Sequence, residues 1–97
     1  MAYKIKYKAY AERDIWEIAS YLHDHSPEAA KNFLTEVKER IENLTEMPFA
    51  HPKIHSHQDY RKIIIGNYVI AYIVNENTHE ITIMRVVHGK RNYTAEL

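Results

Sequence analysis

Cysteine is absent from this 97-residue chain, glycine occurs twice, proline three times and tryptophan once. Without cysteine there is no disulfide framework, no thiolate metal site and no thiol nucleophile, and the composition fits a reducing compartment. Two glycines leave neither a phosphate-cradling loop nor a Gly-x-Ser-x-Gly nucleophile elbow. No stretch approaches the roughly 20 apolar residues that span a bilayer, and Met1–Lys8 lacks the apolar run of a signal peptide. A soluble, cytoplasmic chain with no membrane partner is expected. An excess of one charge is missing too: 13 Lys/Arg balance 13 Asp/Glu. That excludes a protein that binds nucleic acid by bulk charge. The balance hides a gradient, with seven basic against nine acidic residues in 1–50 and six against four in 51–97. Five of the seven histidines also fall in the second half, so an anionic partner would favour the C-terminal side.

What is present is periodic. Tyr3, Ile5 and Tyr7 alternate with Lys4, Lys6 and Lys8, as in a strand with one solvated face. Ala11, Ile15, Ile18 and Leu22 recur at helical spacing and predict an amphipathic helix over 11–24. Ser26-Pro27-Glu28 then opens a second helix: Ser caps free N–H groups, Pro suits the first turn and Glu favours the positive end. Its stripe of Ala30, Phe33, Val37, Ile41 and Leu44 runs to about Met47, where Pro48 stops it. A link of about three residues makes the two helices an antiparallel hairpin. Residues 48–59 read as an irregular stretch. Tyr60–Ile65 and Tyr68–Val74 are β-branched and aromatic runs across Gly66-Asn67, a hairpin signal, and Ile81–Val87 is a third run. The expected fold is α+β, β-α-α-β-β-β, one domain over 1–97, its antiparallel sheet covered on one face by the helical hairpin.

Several patterns stand together in order: Asp14-Ile-x-Glu-Ile-x-x-Tyr21, Ser26-Pro-x-Ala-Ala-x-x-Phe33, Ile41-x-x-Leu44-x-x-x-Pro48, Tyr60-Arg61, Tyr68-x-Ile-x-Tyr72 and Arg85-Val-Val-His-Gly-Lys-Arg91. The set resembles the RelE/ParE superfamily of type II toxin–antitoxin toxins over nearly the whole chain, and its helical hairpin and terminal motif lean to the ParE branch. The resemblance implies a toxin neutralised by a cognate antitoxin whose extended segment wraps it, with no cofactor. It implies one of two targets: DNA gyrase for ParE-like members, or messenger RNA cut on the ribosome for RelE-like ones. A non-toxic interaction module on the same scaffold is a third reading.

Metal-free RNA cleavage needs a base, an acid and fixed positive charge around the phosphate. His88, Arg91 and Tyr93 are the catalytic set if the chain is a nuclease; Arg61, Arg85 and Lys90 are candidates for gripping target or nucleic acid. One position weighs against cleavage. RelE-like nucleases carry an arginine in the strand element Tyr-Arg-Leu-Val-Tyr, whereas this chain has Tyr68-Val69-Ile70-Ala71-Tyr72. The leading reading is therefore a non-enzymatic gyrase poison. Arg85 has an alternative role, pairing with a helix carboxylate, and Gly89 is expected to supply a backbone angle that other residues resist. His51-x-x-x-His55-x-His57 lacks the companions and the rigid frame of a metal site, so no metal is assigned. Trp16 falls about 120° from the core stripe of its helix. It is a candidate contact for the antitoxin or target, unless the sheet edge or second helix covers it.

Overall fold

The computed structural model describes residues 2–90 and 92–97. In chain order the elements are β1 (Lys4–Tyr7), α1 (Ala9–His25), α2 (Pro27–Asn43), β2 (Lys53–Ile54), β3 (His57–Ile65), β4 (Tyr68–Asn75) and β5 (Glu80–His88). A 3-10 turn follows over Tyr93–Glu96. The sheet order is β1-β5-β4-β3-β2. The expected α+β topology forms, and its β3-β4-β5 meander is antiparallel. The first strand makes the sheet mixed, because β1 lies parallel to β5. Period-two alternation fixes which side chains share a face, whereas neighbour and direction are set by where the chain returns.

The helical hairpin is tighter than expected. Ser26 alone separates the helices; its N–H donates to Leu22 O and its Oγ accepts from Ala29 N. At the far end α2 stops at Asn43, short of Met47. Thr45 Oγ1 donates to Glu42 O and Thr45 O accepts from Tyr3 N, which draws the turn onto the outer edge of β1. Between helices and sheet lies the core: Ile63 and Ile65 of β3, Ile70 and Tyr72 of β4, and Ile81, Ile83 and Val86 of β5. Opposite them stand Ala11, Phe33, Val37, Ile41 and Leu44. At about 25 cal/mol per Å² of apolar surface, such burial is the main force joining the layers. Among the described residues no helix is long and apolar enough to cross a membrane.

Two turns depend on positive φ. Gly66 (φ 55°) opens the two-residue β3–β4 hairpin, with a positive angle at the first position as a type II′ turn requires. His79 (φ 56°) closes the β4–β5 turn, where Asn75 Oδ1 accepts from the N–H groups of Asn77 and Thr78. Gly89 takes no positive φ. Its lack of a side chain serves a close approach: a Cβ there would stand 3.1 Å from Val69 Cγ2 and 3.3 Å from Asn67 O.

The stretch 48–59, expected to be irregular, contains the short β2 and the first three residues of β3, which starts at His57 and not at Tyr60, and it is tied down from the sheet. Buried Tyr72 donates its hydroxyl to Pro48 O at 2.9 Å, and burial pushes its pKa up to about 12, against the lowering pull of Arg61 and the His51 backbone. Arg61 Nη1 donates to His51 O at 2.7 Å while its guanidinium lies 5.0 Å from the Phe49 ring centroid. Tyr72→Phe leaves the Pro48 carbonyl without its donor and is expected to lower the unfolding free energy by about 1–2 kcal/mol in urea denaturation. Unchanged stability would mean that water takes the place of the hydroxyl.

Candidate functional site

β1 ends at Tyr7, opposite Ile83, while β5 continues to His88, so the second half of β5 has no strand on that side. Alternation turns the N–H of Val86 towards this open edge. Asp14 of α1 fills it. One carboxylate accepts from Val86 N at 2.9 Å, Arg85 Nε at 2.7 Å and Arg85 Nη2 at 3.1 Å. The remaining arm of the guanidinium, Nη1, donates to Glu96 O at 3.0 Å and so holds the C-terminal turn. Hydrogen bonding to Asp14 raises the Arg85 pKa above its usual value, with burial opposing. Both of the ways of reading Arg85 concerned a carboxylate or a phosphate, and the carboxylate occupies it here.

Of the candidate nuclease residues among those described, His88 and Tyr93 line two neighbouring clefts that share Asn67 and Tyr68. His88 lines a cleft of about 700 Å³ between α1 and the end of β5, with Glu17, Tyr21 and Asn67. Its ring lies edge-on to Tyr68, and its Nδ1 accepts from Lys90 N at 3.2 Å. Tyr93 and Lys90 line a different cleft, of about 350 Å³, with Lys62, Val69 and Gly89. Arg91 lies outside the described residues. Arg61 is engaged with the carbonyl of His51, so its guanidinium anchors a loop. Lys62, which with Arg61 reads in sequence as an ordinary polar strand position, also lines the Tyr93 cleft. Strand alternation places it beside Val69's cleft, and its signal was the parity it shares with Tyr60 and Ile64. The histidine stretch stays local: burial, with Arg40 nearby, holds the His51 pKa below its usual value, and His57 Nδ1 lies 2.9 Å from Ser56 Oγ.

A separate surface runs along the outside of the helical hairpin. Trp16 is 70% exposed. With Tyr7, Ile15, Ala19, Leu34 and Val37 it lines an apolar groove of about 400 Å³, rimmed by Glu12 and Lys38. The groove continues past Trp16 and Leu34 to Ser20, His23 and Ala30. Neither sheet edge nor α2 covers the indole. Beside it, burial and then Glu42 and Glu12 raise the Tyr7 pKa.

A helical hairpin on one face of a mixed five-stranded sheet is the architecture of RelE and ParE toxins, and solved structures of that class share it. The chromosomal ParDE system of P. aeruginosa superposes with a TM-score of 0.74 at 18% identity, covering 90% of this chain and 96% of that one. The isolated E. coli RelE toxin gives 0.66 at 17%, covering 98% and 93%. The RelB–RelE complex of Methanococcus jannaschii gives 0.56 at 24%, covering 93% and 96%. No curated protein matches in sequence. The family model for the ParE toxin of the type II toxin–antitoxin system parDE matches residues 5–93. The chain belongs to that family and is a toxin of the type II, RelE/ParE class.

Asp14 meets three donors, so its loss exposes more than one interaction. Asp14→Ala strands the Arg85 guanidinium and the Val86 N–H together and is expected to cost roughly 2–3 kcal/mol in thermal or urea unfolding. A loss below a few tenths would show that water satisfies the open β5 edge without the carboxylate.

Proposed function

We propose that this toxin arrests growth by acting on DNA gyrase without a catalytic step, and that a cognate antitoxin neutralises it by occupying the groove at Trp16. The observation that carries the first part is the engagement of the candidate arginines Arg61 and Arg85 within the fold. General acid–base cleavage requires its groups to converge within hydrogen-bond reach of one phosphate. Here Arg85 and Arg61 are engaged within the fold, Val69 stands where a phosphate-gripping arginine would be needed, and His88 and Tyr93 line adjoining clefts. A binding toxin has no such requirement.

For the antitoxin, support comes from the exposed indole and the apolar groove around it. Trp is the side chain most often dominant in interface energetics, because it brings a large apolar area and one polar tip. The solved neighbours include complexes described as RelBE and RelB–RelE toxin–antitoxin pairs, so a protein partner of this kind suits the class.

One observation favours ribosome-dependent cleavage of messenger RNA as a second reading. Lys62, Lys90 and Tyr93 share a cleft on the open sheet face, and two ammonium groups beside a phenol can hold and protonate a phosphate ester.

Pulse labelling after induction of the chain alone in bacteria separates these readings. Thymidine incorporation is expected to fall within minutes, before methionine incorporation, and purified protein should promote gyrase-dependent DNA breaks. An early fall in methionine instead would replace gyrase with the ribosome and make Lys62, Lys90 and Tyr93 the groups to mutate. Trp16→Ala is expected to weaken antitoxin binding at least tenfold, about 1.4 kcal/mol, by calorimetry. Equal affinity in the variant would remove the groove from the interface.

A further inference from the structure

A surface helix buries one stripe against its core and keeps charged and polar side chains on the opposite face. The outer side of the helical hairpin departs from that pattern. Trp16 of α1 is 70% exposed, Leu34 of α2 44%, and Tyr7 at the end of β1 42%, and all three line the same groove over Ile15 and Ala19. The apolar strip continues past Ala30. Large apolar side chains gathered in water at one place mark a surface that another molecule covers.

The charges on its rims select the partner. Glu12 stands on the α1 side and Lys38 on the α2 side, and neither has an ion-pair partner among the described residues. The helices run antiparallel from Ser26, so residues about equally far from that turn lie level with one another. Trp16 is level with Leu34, and Glu12 with Lys38. A two-fold axis laid along the groove turns α1 of one molecule onto α2 of a second. It sets Trp16 against Leu34 and Glu12 against Lys38, and each pairing occurs twice, as an isologous contact requires. The hairpin is therefore complementary to itself, apolar strip to apolar strip and acid to base. Each helix has 17 residues, which makes it about 25 Å long, and two side by side are about 20 Å wide. Stacking the faces covers roughly 500 Å² in projection on each molecule, at the low end of specific interfaces.

We propose that the free toxin pairs with a second copy of itself through this groove, forming a layer of four helices, and that the antitoxin and the second copy compete for it. A face this small holds a weak, reversible pair. The pair shields the indoles from water while no antitoxin is present, and it gives way to a partner that covers more of the chain. Self-association stands on the groove and its charges alone, whereas the competition rests on the antitoxin occupying the same groove.

Trp16 is the one tryptophan of the chain, so intrinsic emission reports on this groove alone. The test follows sedimentation velocity and Trp16 emission together over about 1–100 μM of the toxin by itself. A monomer–dimer equilibrium is expected, with the emission moving to the blue as the dimer forms. Trp16→Ala and Lys38→Glu should each raise the dissociation constant about tenfold by sedimentation. Glu12→Lys combined with Lys38→Glu should bring it back towards the parent value, because the swap restores both ion pairs; thermal unfolding checks that each variant is folded. A monomer across the whole series overturns the proposal. So does a dimer that Trp16→Ala leaves unchanged, or a charge swap that fails to recover what Lys38→Glu removes. Added cognate antitoxin is expected to replace the dimer with a toxin–antitoxin complex. An antitoxin that binds and leaves the dimer intact overturns the competition and the antitoxin's place in the groove, while self-association stands.

Discussion

The carboxylate of Asp14 is the constraint on which the rest of the arrangement depends. A mixed sheet whose first strand is shorter than its neighbour leaves part of that neighbour's edge open, and open edges carry backbone groups that must find partners. One side chain from α1 answers for the missing strand by taking the Val86 N–H, and in the same act fixes Arg85. Arg85 in turn holds the carbonyl of Glu96 and lies beside the ring of Tyr10. The helical layer, the sheet edge, the C-terminal turn and the Tyr10 ring are thereby joined through one planar guanidinium. Lysine could not do this, since it lacks the fork that presents donors in several fixed directions.

The bulge at Met84, where Ala71 pairs with Arg85 but Tyr72 with Ile83, is the second element of that design. In a regular strand the alternation that buries Ile81 and Ile83 would continue to residue 85 and put an arginine into the core. The extra residue shifts the parity, so Val86 enters the core instead and Arg85 is freed to meet Asp14 at the edge. One local irregularity thus protects the hydrophobic layer and builds the ion pair. It also brings Met84 to a cleft that Lys8, Tyr10 and Tyr60 line with it.

The helical hairpin and the three-strand meander were legible because each rests on a run of apolar residues at one period: Ile15, Ile18 and Leu22 for α1, and Ile81 and Ile83 for β5. Ser26-Pro27 was legible because capping is local chemistry. The parallel pairing of β1 was not, since Tyr3, Ile5 and Tyr7 would read identically in either direction. Nor was the bulge, which removes nothing from the pattern Ile81-x-Ile83 and declares itself only in register. The site suffered most from this. Arg61 and Lys62 are adjacent in sequence, yet they point to opposite faces, and the arginine that looked fit for phosphate holds a loop while its neighbour lines the cleft. Gly89 was noticed for the wrong physical reason, backbone angle in place of close contact. Trp16 was placed correctly beside the core stripe, but whether another element covered it needed the packing of α2.

The division of labour between the cations follows from their chemistry. Arg61 and Arg85 are turned inward, each donating to carbonyl or carboxylate oxygens with its apolar plane near an aromatic ring. A guanidinium is weakly hydrated and multiply directed, so partial burial costs it less than it costs an ammonium. Lys4, Lys6 and Lys8 stay exposed at the open face, where an ammonium keeps its strong hydration. A surface equipped this way attracts anions over many geometries but selects among them poorly. Because Asp14 lies two residues before Trp16 on α1 and also fixes Arg85 beside Tyr10, the exposed indole and the Tyr10 ring are referred to the same short stretch of helix. Their relative position is set by the ion pair that closes the sheet.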